Sequence, residues 1–264
     1  LVDILARRSG AEVAALGLLA PWLARYGEFQ DADDAFAGAV MARNGIPDDT
    51  RLALRAVSHA FRGWGARADV TRPLAPGDEI VLRDRTLTVH HRPGHSPSDT
   101  VFHDAARGTL LAADHLIKHI SSNPLIARPL DAPLDDVGVA AALERPQSLR
   151  IYLDSLAATR AMPDVRLVLP GHGQAVTDHV ALIDERARLH ARRAHRIHGM
   201  IADEPRTAFE IAQAMWGNVA VTQAYLTLSE VLGHVDLLLN DGLVTEDTGP
   251  GGVVRFRSLA APAD

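Results

Sequence analysis

Cysteine is absent from the 264 residues of this chain, and aromatic residues make up only 5% of it. Without cysteine the chain has no disulfide bonds and no thiolate metal site. Disulfides are common in secreted proteins and rare in cytosolic ones, so the composition favours the cytoplasm.

Long apolar runs are missing as well. No run approaches the ~20 residues that a membrane-spanning helix needs, so we expect no membrane span. With 47% hydrophobic and 23% charged residues, the chain has the composition of a globular protein with one large domain and a small one. The formal net charge of −6 provides no electrostatic basis for a nucleic-acid partner.

Two short apolar runs end in the same tripeptide, Pro-Gly-His. They are TLTVHHRPGH, which ends at His95, and RLVLPGH, which ends at His172. A third apolar run, 109–113, is followed directly by Asp114. Because Pro-Gly favours a turn after a strand, we expect all three side chains on loops at strand ends.

Imidazole nitrogen and carboxylate oxygen are ligands that zinc accepts, and a hydrolytic zinc site keeps one position open for water. Glycine beside each histidine, at Gly94, Gly171 and Gly173, would let the backbone turn sharply and keep bulk away from an ion. A single Pro-Gly turn is common, and a single loop histidine is usually only solvated. The ordered set of three is what indicates a metal site.

The segments PGHSPSD, AADH and LPGHG, in this order and spacing, resemble the ligand motifs of the metallo-β-lactamase-fold hydrolases over nearly the whole chain. The resemblance implies that His95, Asp114 and His172 are metal ligands and that Asp114 bridges two ions. In addition, ADHLIKHISSNP and the tail after residue 195 are similar to a bacterial branch with a C-terminal winged-helix domain.

The family's His-x-His-x-Asp-His signature, which supplies three further ligands, does not occur among the 13 histidines. The first residues resemble the helix and strand that follow that signature in relatives, so we expect an N-terminally incomplete family member with an incomplete metal site. The implied fold is α/β, the later part of a four-layer αββα sandwich. It would cover 1–198 with a helical insertion at 29–65, and a winged-helix-like domain would cover 199–264.

The implied activity is hydrolysis with one or two zinc ions, in which metal-bound hydroxide attacks an ester, thioester or related bond of a small molecule. No catalytic side chain is assigned, because relatives use an aspartate of the signature. With only three of the usual ligands present, we expect the metal affinity and activity of this chain to be much reduced or absent. A non-catalytic member that binds a protein partner and an RNA-cleaving nuclease are the alternatives. Residues 199–264 hold three basic and nine acidic residues, a balance of 3 − 9 = −6, which argues against nucleic acid and favours packing or a homodimer.

Four polar residues near the expected ligands are further candidates. Ser96 and Asp99 closely follow His95 and could orient it, because metal-bound imidazoles usually donate their other proton to an acceptor. His115 and Asn123 lie on a loop that leaves a ligand-bearing strand, where side chains commonly line substrate. Loops are also polar in general, so both interpretations of this segment stay open.

The insertion at 29–65 also has two interpretations. Its apolar positions either pack as an ordinary core stripe or form a lid over the metal cleft that selects an apolar substrate group. The remaining pattern predicts helices near 2–8, 146–161, 178–200, 206–215 and 221–240, with strands between 70 and 113 and a closing β-hairpin. The basic helix at 178–200 is interpreted as a solvated face, with phosphate binding as the alternative.

Overall fold

The computed structural model describes residues 1–259 and has a mixed α/β fold. Its main sheet has five strands in the order β3-β4-β5-β6-β7, namely β3 Glu79–Val81, β4 Thr86–His91, β5 Thr100–Asp104, β6 Thr109–Ala113 and β7 Leu167–Pro170. Strands β3 to β6 pair antiparallel, whereas β7 pairs parallel to β6. A separate pair, β1 Ala14–Leu16 and β2 Arg72–Leu74, is parallel.

Residues 1–259 also contain ten helices. They are α1 Val2–Ser9, α2 Ala20–Ala24, α3 Tyr26–Arg43, α4 Asp48–Phe61, α5 Val139–Leu143, α6 Ser148–Arg160, α7 His179–Met200, α8 Ala208–Trp216, α9 Val219–Thr222 and α10 Ala224–Asn240. The described part of the chain contains no helix with the length and apolar character that crossing a membrane requires. The helices predicted near 2–8, 146–161, 178–200 and 206–215 are present.

Several helix ends are encoded locally. Helix α1 ends at Gly10, which takes the left-handed conformation at φ 70° that glycine tolerates best. Asp178 accepts a hydrogen bond from the first turn of α7. Thr207 and Glu210 form a reciprocal capping box at the start of α8.

Helix α6 covers one face of the main sheet, as its apolar spacing predicts. Leu149, Tyr152 and Leu156 are each 1% exposed and pack in one core with Leu110 and Val168 of strands β6 and β7. The crossover through α6 brings the chain back parallel to β6, so β6 and β7 end at the same edge of the sheet.

The predicted helical hairpin consists of α3 and α4, and its two helices differ. Phe29, Phe36 and Met41 of α3 are buried, whereas α4 has no buried residue. Phe61 and Trp64 are 58% and 86% exposed, so the apolar stripe continues beyond the core. One face of this hairpin is therefore available to line a cavity.

The C-terminal part contains α8, α9, α10 and the antiparallel hairpin of β8 Val244–Thr248 and β9 Val254–Ser258. The single helix predicted over 221–240 is wrong in one respect, because the chain breaks at Gln223 (φ −126°, ψ 43°) between α9 and α10. One core joins α3, α7, α8, α10 and the hairpin. The winged-helix-like domain at 199–264 stays a prediction, and its residues 260–264 lie outside the described part.

Candidate metal centre

The three predicted ligands meet at one edge of the main sheet. His95 follows β4, Asp114 follows β6 and His172 follows β7, and these three strands run in the same direction. His95 Nε2 is 3.8 Å from Asp114 Oδ2, and His172 Nε2 is 3.5 Å from Asp114 Oδ1. The carboxylate therefore lies between the two imidazoles, with one oxygen towards each.

A backbone carbonyl orients the His95 ring. Its Nδ1 is 3.0 Å from the backbone oxygen of Asn123, which can only accept, so Nδ1 carries a proton and Nε2 is the ring nitrogen turned towards Asp114. Imidazole nitrogen and carboxylate oxygen are both ligand atoms that zinc accepts. Zinc binds nitrogen and oxygen at about 2.0–2.2 Å. The two distances from Asp114 to the histidine Nε2 atoms are therefore close to the separation of two ligand atoms that share one ion. The donor set fits a metal ion.

The backbone beside Asp114 is strained. Ala113 has φ 44°, in the left-handed region that costs a residue with a side chain about 1–2 kcal/mol. The pairing of β6 with β7 shifts register between Leu111 and Ala113, and such irregularities re-aim the next side chain. The Ala113 carbonyl accepts a 2.7 Å hydrogen bond from the Gly171 amide, which holds the two ligand-bearing turns together.

Two of the glycines beside the histidines are sterically required. A Cβ at Gly171 would lie 2.6 Å from Asp114 Oδ1, so any side chain there would collide with the carboxylate. A Cβ at Gly94, where φ is 152°, would lie 2.5 Å from Tyr152 Cβ. At Gly171 the absent side chain leaves room for the Asp114 carboxylate, and the prediction that these glycines keep bulk away from an ion stays a prediction.

Ser96 and Asp99 brace the turn that carries His95. Asp99 accepts hydrogen bonds from the Ser96 hydroxyl at 2.6 Å and the Ser96 amide at 3.1 Å. Burial raises the pKa of the Asp99 carboxyl, while the bonds from Ser96 act in the opposite direction. The acceptor that orients the His95 imidazole is the Asn123 carbonyl, a partner that side-chain motifs do not reveal.

His115 lies beneath the site and is fully buried. Its Nε2 is 2.8 Å from Thr159 Oγ1, and its carbonyl accepts a 2.9 Å hydrogen bond from the Tyr152 hydroxyl. Burial lowers the pKa of His115 to about 4, so the imidazole is neutral. The contacts fasten the end of β6 to helix α6.

The loop at 121–123 contacts the turns that carry His95 and Asp114 and also contacts helix α10. Ser122 donates to the Asp114 carbonyl, and the Asn123 carbonyl accepts from His95. The Asn123 side chain donates to the Leu226 carbonyl of α10 at 2.9 Å. Asn123, predicted for the substrate loop, thus links α10 to the candidate ligand His95.

A second histidine cluster lies deeper, between α7 and α10. Ser121 Oγ is 3.2 Å from His190 Nε2, and His190 Nδ1 is 3.1 Å from His234 Nε2. His234 Nδ1 donates to the Glu230 carbonyl at 2.6 Å. In the neutral imidazoles, Nδ1 of His234 and Nδ1 of His190 then carry the protons, and each Nε2 accepts. Together His190, Glu230 and His234 offer ligand atoms within 4.8 Å of one another.

The solvated-face interpretation of α7 is wrong for His190, which is 1% exposed. Burial is the main cause that lowers the pKa of both His190 and His234 to about 3, with His234 and then Arg193 contributing at His190, and Arg193 contributing at His234. Arg186 is also buried and donates to the Lys118 carbonyl at 2.8 Å. Arg192, Arg196 and His195 do face solvent.

The parallel strand ends and the carboxylate between two imidazoles define an α/β protein with a candidate metal centre. The family model described as "Metallo-beta-lactamase superfamily" matches residues 22–172, more than half of the chain. The chain belongs to this superfamily.

Individual relatives agree with this membership. The chain is 28% identical over 239 residues to "Probable metallo-hydrolase YqjP" of Bacillus subtilis (strain 168), covering 90% of this chain and 70% of that protein. A shorter match, 37% over 87 residues, is to "Acyl-coenzyme A thioesterase MBLAC2" of Gallus gallus and covers 30% of this chain and 31% of that protein.

Solved structures show the same fold. A metallo-beta-lactamase family protein from Thermus thermophilus superposes with a TM-score of 0.69 at 23% identity, covering 94% of this chain and 72% of the other. A beta-lactamase domain protein from Burkholderia ambifaria superposes with a TM-score of 0.65 at 26% identity, covering 84% of this chain and 59% of the other.

Proposed function

We propose that this chain is a zinc-dependent hydrolase of a small-molecule ester or thioester. The observation that carries the proposal is the Asp114 carboxylate, which faces His95 Nε2 at 3.8 Å and His172 Nε2 at 3.5 Å. The names of the Bacillus subtilis metallo-hydrolase and the chicken thioesterase support hydrolysis and a thioester bond.

The residues of this chain would hold one or two ions and keep them accessible. Asp114 contributes one oxygen towards each histidine, the Asn123 carbonyl keeps His95 Nε2 turned towards the site, and Gly171 leaves the carboxylate room. When bound, zinc acts as a Lewis acid and supplies hydroxide near neutral pH. In the overall reaction water provides the oxygen of the new carboxyl group, and the thiol or alcohol leaves with a proton.

The finer structural assignments belong to the same proposal. We assign 1–198 to the later part of an αββα sandwich and 199–264 to a winged-helix-like unit that serves packing or a homodimer, in a cytoplasmic protein. The −6 charge of that unit disfavours the RNA nuclease alternative.

Metal-dependent turnover of an acyl thioester tests the function. The chain is stripped with a chelator, dialysed and reloaded with zinc, and thiol release from an acyl-coenzyme A is followed with a thiol reagent. The variant Asp114→Asn keeps the shape of the side chain but removes its charge, and Asp154→Asn on the exposed face of α6 is the matched control.

Because this chain offers three candidate ligands and lacks the signature run, we expect zinc to restore slow turnover in the wild type and in Asp154→Asn, and Asp114→Asn to lose about 100-fold or more of it. Turnover that is independent of zinc or of Asp114 would contradict the proposed site. Zinc binding at Asp114 without cleavage of any ester, thioester or phosphodiester would instead support the non-catalytic alternative.

A further inference from the structure

A large cavity lies between the α3–α4 hairpin and the loop at 125–130. Its volume is about 1190 Å³. Pockets for small molecules commonly measure about 300–1,000 Å³, so this cavity has room for an extended group and is oversized for a short one. Its walls come mainly from apolar side chains, among them Leu23, Phe36, Met41, Leu54, Leu125 and Ile126.

Part of the cavity wall comes from the turn that carries the candidate ligand His95. Ser96, Pro97 and Ser98 line the cavity, and they directly follow the candidate ligand His95 in the chain. The Ser96 hydroxyl is held by Asp99, so this part of the wall is rigid. A molecule that places its reacting bond at Asp114 could therefore extend its remaining part between α3 and α4.

Most charged groups that line the cavity are paired with partners within the protein, and Arg55 is the exception among the described lining residues. Asp33 accepts hydrogen bonds from Trp22 Nε1 at 2.9 Å and from Arg128 Nε at 3.2 Å. The Arg128 side chain is 1% exposed and lies over the ring of Phe29 at 5.3 Å. A hydrocarbon group in the cavity would thus meet paired charges and apolar walls, whereas a charged group would find few unpaired partners.

Charged groups on the α4 side of the cavity are also paired. Asp34 accepts from the Ser58 hydroxyl at 2.8 Å and from Arg62 at 2.5 Å, which ties α4 to α3 across the cavity. Leu52 and Val57 of α4 are 70% and 52% exposed in spite of being cavity residues. Exposed apolar side chains along a cavity are stabilised when a hydrocarbon chain covers them.

We propose that this cavity binds the long hydrocarbon chain of an acyl substrate, with the acyl carbonyl at the metal centre. The proposal deepens the hydrolase function and rests on it for the position of the carbonyl. It makes the α3–α4 hairpin the determinant of chain length.

Gly38 offers a way to fill the cavity without disturbing the fold. It lies in α3, lines the cavity, and a Cβ added there meets no atom within 4 Å. The variant Gly38→Leu therefore places a side chain in the space where the hydrocarbon would lie. Gly27→Leu is the matched control, because Gly27 is also in α3, also has free space, and is not a cavity residue. Both substitutions favour the helix.

Binding is measured first, on the full chain and without turnover. Trp22 lines the cavity, so 9,10-dibromostearate, a bromine-labelled fatty acid, should quench its fluorescence on binding. We expect saturable quenching in the wild type and in Gly27→Leu, at least about tenfold weaker affinity in Gly38→Leu, and loss of the quenching signal in Trp22→Phe. Among unlabelled competitors of increasing length, affinity should rise up to about fourfold for each buried methylene.

Turnover is then compared across acyl thioesters of two to sixteen carbons. We expect kcat/KM to rise with chain length in the wild type and Gly27→Leu, and the optimum to move to shorter chains in Gly38→Leu. Equal affinity of Gly38→Leu and the wild type for the fatty acid, or quenching that persists in Trp22→Phe, would overturn the cavity as the binding site. Specific binding without zinc-dependent cleavage would refute the hydrolase function and leave the hydrocarbon site standing.

Discussion

Replacing Gly171 by alanine should weaken metal binding through a single steric contact. The added Cβ would lie 2.6 Å from Asp114 Oδ1 and 3.3 Å from the Ala113 carbonyl carbon, whereas ordinary contacts begin at 3.4 Å. The carboxylate oxygen must therefore move by about 0.8 Å, the difference between 3.4 and 2.6 Å. Metal–ligand distances tolerate about 0.2 Å, so the oxygen leaves the position that a shared ion requires.

We expect Gly171→Ala to lower zinc affinity by about 10–100-fold, equivalent to about 1.4–2.7 kcal/mol. The assay is an equilibrium zinc titration against a chromogenic chelator. Gly199→Ala is the control, because Gly199 lies on the exposed face of α7 with nothing within 4 Å of an added Cβ, and alanine favours a helix there. If Gly171→Ala bound zinc within about twofold of the wild type, the steric reasoning and the assignment of Asp114 would both be refuted.

Three further predictions concern stability. Because burial lowers the pKa of His190 and His234 to about 3, below the 6.5 of the unfolded chain, the stability they contribute is present above pH 6.5 and lost as pH falls towards 3. Between pH 7 and pH 4, the free energy of unfolding measured in urea should fall less in His190→Gln than in the wild type. In the control His59→Gln, at an exposed position, it should fall as in the wild type. Parallel curves for the wild type and His190→Gln would contradict this. Leu149→Ala should lower the free energy of unfolding, measured in urea, by about 2–5 kcal/mol. Leu52→Ala, at a 70% exposed position, should lower it by less than ~0.5 kcal/mol. Similar losses in the two variants would refute the assigned core. Zinc at about 100 times its dissociation constant should stabilise the chain by about 2.7 kcal/mol in thermal unfolding, and no shift would argue against a folded-state site.

The positions of the three candidate ligands are predictable because their signals are local. Pro-Gly-His reports a turn after a strand at both His95 and His172, and parallel strand ends bring Asp114 between them. The group that orients His95 is not predictable in this way. It is a backbone carbonyl at Asn123, 28 residues away, and any residue type could supply it.

The buried histidine cluster shows a different limit. Arginines and histidines alternate along α7, which is typical of a solvated face, yet His190 is buried because α10 packs against it with His234, 44 residues further on. The break between α9 and α10 at Gln223 is likewise set by packing, since neither glycine nor proline marks it. The periodicity of a sequence predicts a helix, but it does not indicate which face of that helix a neighbouring helix will cover.

Anomalous diffraction from zinc-soaked crystals would locate the metal directly. Data collected on both sides of the zinc absorption edge should show a peak between Asp114 and the Nε2 atoms of His95 and His172, and the peak should vanish in Asp114→Asn. A peak only beside His190 and His234, or none within bonding distance of Asp114, would contradict the metal centre on which the proposed hydrolase depends.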